Sequence, residues 1–198
     1  MTVPDGFRDQ PVLHGPRVRL EPMCDRYFDG IWPMFSEPET MRLTGTHRRF
    51  SSEEIRHWVA TRPDQHDRAD WVIVRREDDA VLGEAVLNEF DPHNESVNYR
   101  IGLVGPAVFG LGYGTEATRL VLDHAFDVAG LHRVSLEVYD FNPRAQRVYE
   151  KCGFRREGTH REALRWDGRW HDAISMAILS TDPRPWSYEP AISSDTAT

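Results

Sequence analysis

Lysine is almost missing from this chain: of 24 basic side chains Lys151 alone is lysine, and the other 23 are arginine. Guanidinium forks suit phosphate oxygens, yet a chain-wide exchange of Lys for Arg is what codon bias produces, and it assigns no site. Cysteine is as scarce. Cys24 and Cys152 are the two present, with no C-x-x-C pair, which excludes a disulfide scaffold, a thiolate zinc site and a redox dithiol; both are expected to be reduced packing residues. His47, His57, His93 and His171 have no metal-ligand spacing, so no metal is expected. No run approaches the roughly 18 apolar residues of a membrane span, and Met1 to Arg8 lacks the apolar core of a signal peptide. A cytoplasmic protein with no membrane partner is expected. An excess of positive charge is absent too: 32 acidic against 24 basic residues leave a net charge of -8, which argues against nucleic-acid binding by phosphate neutralisation. What remains is a chain of 198 residues, 39 % hydrophobic, long and apolar enough for one domain with a sizeable core.

The patterning divides it into an arm at 1–10, one domain at 11–181 and a proline-rich extended arm at 182–198 that is expected to fray. Arg17 to Pro22 alternates like a half-buried strand. A helix is expected from Asp25, limited by Pro33, and a second opens on the capping box Ser51-Ser52-Glu53-Glu54 and closes at Pro63. Trp71–Arg76, Ala80–Phe90 and Ser96–Leu103 read as antiparallel strands joined by short turns. Thr115 to Ala129 keeps helical spacing up to the stop at Gly130. A strand at Arg133–Val138 follows, then a helix that begins with Asn142-Pro143 and ends at Gly153. Glu157–Arg165 and Trp170–Leu179 flank Asp167-Gly168, a dipeptide whose two residues both tolerate the positive φ of a tight hairpin. The fold class is mixed α/β, a mostly antiparallel twisted sheet of about seven strands with about four helices.

Phe109-Gly110-Leu111-Gly112-Tyr113-Gly114-Thr115 lies between a strand and the strongest helix. Alternating glycines let successive N–H groups converge on an anion at the positive end of the helix dipole; the plainer role is a loop that needs positive φ. A Walker loop requires Gly-Lys-Ser/Thr, and Gly114 is followed by Thr115-Glu116. A dinucleotide G-x-G-x-x-G from Gly110 needs glycine where Thr115 stands, and the turn opens no parallel βαβ unit.

Leu111-Gly112-Tyr113-Gly114-Thr115-Glu116-Ala117 is similar to the second half of the coenzyme A turn of the GNAT superfamily of acyl-CoA-dependent N-acyltransferases, and Asn142 to Phe154 matches its N-x-x-A-x-x-x-Y-x-x-x-G-F. Trp166 to Asp172 resembles the hairpin of its RimJ/RimL-type branch. The resemblance covers about residues 11 to 180. It implies a sheet splayed between its fourth and fifth strands, where pantetheine inserts beside backbone groups of Ile101 to Val104, Leu103 and Val104 among them. It implies acetyl-CoA, or another acyl-CoA, on Phe109 to Thr115, Asn142, Arg144 and Ala145, with Phe109 replacing the usual Gln or Arg. Tyr149 becomes the acid that protonates the departing thiolate; by composition alone it reads as a core tyrosine, and its position in the motif reverses that, whereas Asn142 is equally a helix N-cap. Glu84, Glu89 and Glu137 stay open as proton acceptors, and Trp32, Trp58 and Trp71 line an acceptor pocket or simply pack the core. The implied activity is transfer of acetyl to a primary amine, on a small molecule or a peptide N-terminus. Transfer of succinyl or another acyl group, and a non-catalytic acyl-CoA-binding module, are the alternatives. Trp186 and Tyr188 in the tail suggest a homodimer.

Overall fold

The computed structural model describes residues 10–186. The alternating runs form one eight-stranded sheet: β1 (Leu13–His14), β2 (Val18–Pro22), β3 (Ala69–Arg75), β4 (Val81–Asp91), β5 (Ser96–Leu103), β6 (Arg133–Tyr139), β7 (Arg155–Trp166) and β8 (Arg169–Leu179), ordered β1-β2-β3-β4-β5-β6-β8-β7. Every pair is antiparallel except β5 with β6, which run parallel and meet only at Ser96↔Arg133, Val97↔Val134 and Asn98↔Ser135. Beyond Asn98 the two strands diverge. The expected splay lies here; the strand count rises from seven to eight because β1 is two residues long, too short for a period of two to register.

Among the described residues five α-helices cover the sheet: α1 (Phe28–Ile31), α2 (Pro38–Leu43), α3 (Ser52–Ala60), α4 (Tyr113–Asp123), which runs on through a π-helical turn at His124–Val128, and α5 (Pro143–Lys151). The helix expected from Asp25 is broken into 3-10, α and 3-10 turns, the last of them with Pro33 in its first turn, and Gly30 lets it lie on β4: a Cβ there would stand 2.5 Å from Val81 Cγ2. The Ser51/Glu54 capping box forms, and Asp167 (φ 47°) and Gly168 (φ 79°) make the hairpin turn.

One face of the sheet carries the larger core, including Leu20, Trp71, Ile73, Leu87, Val121, Leu136 and Ile178 beneath α4 and α5. The other carries Met23, Phe28, Ile31, Ile55, Val59, Val72 and Val74 beneath α1 and α3. Both cysteines are free, and burial pushes the Cys152 thiol up to about 11. Among the described residues no helix is long and apolar enough to cross a membrane, and no cluster of His, Cys, Asp and Glu could hold a metal ion.

The C-terminal segment turns back onto α4 before the described residues end. Arg184 forks onto Asp127 at 2.7 Å and reaches Asp123 at 3.0 Å, while the Trp186 indole N–H donates to Asp123 at 3.1 Å. Trp186 is thus partly buried against its own chain. Tyr188 and the arm at 1–9 lie outside the described residues.

Candidate active site

The splay opens into a cavity of about 880 Å³ that passes between β5 and β6. Alternation along both strands gives it two faces. Ile101, Leu103, Leu136 and Val138 turn towards α4 and α5, whereas Asn98, Arg100, Ser135, Glu137 and Tyr139 turn to the opposite side with Thr40, Thr44 and Glu89.

On the α4 side the glycine-rich turn takes the conformation expected of it. Gly110 (φ 73°) and Gly112 (φ 88°) are left-handed, and Gly112 is the N-cap of α4 with no side chain bonded over it. The first-turn N–H groups therefore lack intrahelical acceptors, and Gly112, Gly114 and Thr115 line the groove. A Cβ on Gly114 would project to 3.9 Å from Ile101 Cδ1 and 4.0 Å from Leu103 Cδ1, into the space between helix and strand. This is a cradle that only a bare backbone leaves open. It fits the pyrophosphate and pantetheine arm of coenzyme A: N–H donors at a helix N-terminus for the anion, and an unpaired strand edge for the amides.

Thirteen residues carried the sequence reading, and the cavity brings ten of them together: Leu103, Phe109, Gly110, Gly112, Gly114, Thr115, Asn142, Arg144, Ala145 and Tyr149. Three stand apart. The Val104 N–H is spent on the Leu82 carbonyl at 2.9 Å. Alternation then directs the Ile101 and Leu103 N–H groups away from β4, into the splay. Leu111 is 51 % exposed, and its carbonyl accepts from Arg17 Nη1 at 3.0 Å. The Tyr113 ring lies under the Arg17 guanidinium, 5.1 Å from ring centroid to Cζ, outside the cavity lining. Trp71 is fully buried, and Trp32 and Trp58 pack on the second core, so the acceptor-pocket role fails for all three.

Asn142 does cap α5, its Oδ1 accepting from the Ala145 N–H at 3.1 Å. Ala145 and Tyr149 share one helix face and both reach the cavity, as i and i+4 positions should. Tyr149 is 6 % exposed and packs edge-on to Phe154 with centroids 5.7 Å apart. Burial holds its phenol well above the ordinary tyrosine value, so it keeps its proton throughout the physiological range.

Two supports escaped the sequence reading. Glu116, buried in α4, accepts from the backbone N–H groups of Arg17 (2.7 Å) and Val18 (2.9 Å) and from Arg17 Nε (3.0 Å). Arg17 in turn braces the glycine turn through Leu111. The second is a bulge: the β4 register shifts between Asn88 and Asp91, and Glu89 stands there at φ 57°, re-aimed into the cavity. Opposite it on β6, Glu137 lies 3.4 Å from His160 Nε2. His47 stacks on Trp166 at 4.8 Å, and Gly45 lies so close to Tyr139 that a Cβ would meet its hydroxyl at 2.6 Å.

Glu84 differs from the other two carboxylates in lying outside the lining, 3 % exposed, with Oε1 3.3 Å from Arg100 and Oε2 without a hydrogen-bond partner among the described residues. Burial raises its pKa, opposed by Arg100, with nearby Asp70 adding to the rise. A folded value above the unfolded one stabilises the protein fully below the unfolded pKa, and that contribution disappears as pH rises through the folded value. Glu84→Gln is therefore expected to raise Tm at pH 8, by about 2–4 °C for each kcal/mol relieved, and to leave it unchanged near pH 4. Calorimetric scans at the two pH values test the sign.

Comparison with known proteins agrees with this geometry. The family model "Acetyltransferase (GNAT) domain" matches residues 17–155. A probable N-acetyltransferase of Bacillus subtilis, YjcK, is 44 % identical over 73 residues, a match spanning 37 % of this chain and 40 % of that protein. The spermidine N(1)-acetyltransferase of Vibrio cholerae is 31 % identical over 117 residues, 59 % of this chain and 67 % of that protein. The crystal structure of spermidine N-acetyltransferase from Vibrio cholerae in complex with CoA and spermine superposes with a TM-score of 0.77 at 23 % identity, covering 84 % of this chain and 97 % of that one. The cavity at the splay, the open glycine cradle and the family match converge: the chain belongs to the acetyltransferase (GNAT) family, the acyl-CoA-dependent N-acetyltransferases.

Proposed function

We propose that the protein moves an acetyl group from acetyl-CoA to the primary amine of a small cationic acceptor. The observation that carries this reading is the pair of carboxylates on the acceptor face, Glu89 and Glu137, which line the cavity on the side away from the glycine cradle. A cationic amine is drawn to them because the arginines on the same face of the lining are paired outside it, Arg100 with Glu84 at 3.3 Å and Arg133 with Glu157 at 2.8 Å, and the relatives named spermidine N(1)-acetyltransferase support the same acceptor class.

Acetyl-CoA, when bound, supplies the thioester that the amine attacks. The chain does the rest. Gly110 to Thr115 hold the anionic end by backbone N–H groups, and an N–H of Ile101 or Leu103 polarises the acetyl carbonyl. Glu89 or Glu137 takes the amine proton through water; Glu84, outside the lining, does not. The cationic acceptor sheds two protons from its nitrogen: the first passes through Glu89 or Glu137 to solvent before attack, and the second, lost as the amide forms, replaces the proton that Tyr149 Oη gives to the departing sulfur, so ammonium and thioester become amide, thiol and one released proton.

A second acceptor, a peptide or protein N-terminus as in the RimJ/RimL-type branch, is favoured by one observation: Trp170, 57 % exposed on the β7–β8 hairpin, offers an aromatic landing for a larger substrate. Homodimerisation belongs to the same proposal and is motivated by the aromatic tail residues Trp186 and Tyr188; a monomer in light scattering at micromolar concentration would sink it.

The test is thiol release from acetyl-CoA, with product mass, over spermidine, spermine and peptides bearing a free α-amine. Polyamines should turn over, with kcat/KM falling about tenfold or more in Glu89→Gln or Glu137→Gln. Turnover of peptides alone would move the assignment to the RimJ/RimL-type acceptor, and no turnover of any amine would contradict transfer itself.

A further inference from the structure

Arg144 occupies a position that ordinary helix energetics disfavours. It is the second residue of α5, where the helix dipole is positive and a cation is destabilised. Arg147 and Lys151, three and seven residues on, line the same cavity, so one helix face carries three cations in a chain of net charge -8. Among the described residues Arg144 enters no hydrogen bond and no ion pair. Glu39, whose carboxyl feels its charge, is already held by both nitrogens of an Arg42 fork at 2.9 Å. What Arg144 does touch is Phe109: its Cζ stands 4.3 Å from the ring centroid. The ring fixes the guanidinium plane without using any of its five donors, and both side chains line the cavity beside Gly110.

We propose that Arg144, held against Phe109, is the pyrophosphate-binding side chain of this groove, so that an aromatic residue at 109 positions a phosphate ligand borne by α5. The inference rests on the acetyl-CoA reading above. An anion at this point relieves the repulsion between Arg144 and the dipole, and the planar fork matches two phosphate oxygens as an ammonium does not.

The experiment is calorimetric titration of coenzyme A and of 3′-dephospho-CoA into the full chain and its Arg144→Ala, Arg144→Lys, Phe109→Leu and doubly substituted forms, with near-UV circular dichroism to confirm folding. Arg144→Ala should weaken both ligands equally, by about 10- to 100-fold, the range of a charge-assisted hydrogen bond. Arg144→Lys should recover part of the loss. Phe109→Leu should weaken binding less, and add nothing once Arg144 is alanine. An Arg144→Ala dissociation constant within twofold of the parent overturns the proposal. So does a loss seen with coenzyme A but not with 3′-dephospho-CoA, which would place Arg144 on the 3′-phosphate. Absence of coenzyme A binding by the unsubstituted chain would overturn the functional reading itself, and this inference with it.

Discussion

Replacing Tyr149 by phenylalanine should lower kcat by about a hundredfold or more while leaving the acetyl-CoA dissociation constant unchanged. The phenol is buried against Phe154, retains its proton, and borders the cavity from the first helix after the splay. Among the described residues its hydroxyl makes no hydrogen bond, so phenylalanine strands no partner and Tm should not fall. A lowered kcat with intact binding and stability isolates proton transfer to sulfur. An unchanged kcat would return Tyr149 to the role of core packing.

The largest effect on stability is expected at Glu116. Its buried carboxylate accepts two backbone N–H groups and the Arg17 Nε, joining residues 98 and 99 apart in sequence. Glu116→Ala leaves those donors without their acceptor, at a cost of about 3–5 kcal/mol, or roughly 10 °C in Tm. Arg17→Ala should be milder, because that side chain is half exposed. It removes the brace on Leu111 and the contact beside Gly112, where Arg17 Nη2 lies 2.9 Å from the position a Cβ would take. Acetyl-CoA binding should therefore weaken in Arg17→Ala with little change in Tm. A Glu116→Ala protein as stable as the parent would show that the latch contributes nothing.

These two supports mark where legibility in the sequence ended. Local chemistry was readable: the Ser51 capping box, the Asn142 cap, the positive φ of Asp167 and Gly168, and the left-handed glycines at 110 and 112 each depend on neighbours within a few residues. Partners distant in the chain were not. Nothing in Glu116 announces that it will meet Arg17, and nothing in Phe109 announces Arg144. Helix α2 passed unseen because Pro38 opens a stretch of only six residues, too short to show a period of 3.6. Val104 was assigned to the groove on resemblance, but backbone alternation turns its N–H towards β4. Glu89 and Glu137 could be named but not separated from Glu84. A bulge and an alternation of faces decide which carboxylates reach the cavity, and both become visible only once the strands are in register.

The claim on which the rest depends is that the groove at Gly110 to Thr115 receives acetyl-CoA. Calorimetric titration of acetyl-CoA into the parent protein and into Gly114→Val tests it most directly. Gly114 is the place to fill, because its absent side chain faces the gap between α4 and β5 and its backbone is not left-handed. The account predicts saturable binding by the parent, and loss of that binding by a Gly114→Val protein that still folds. No binding by the parent, or equal binding by both, would contradict it.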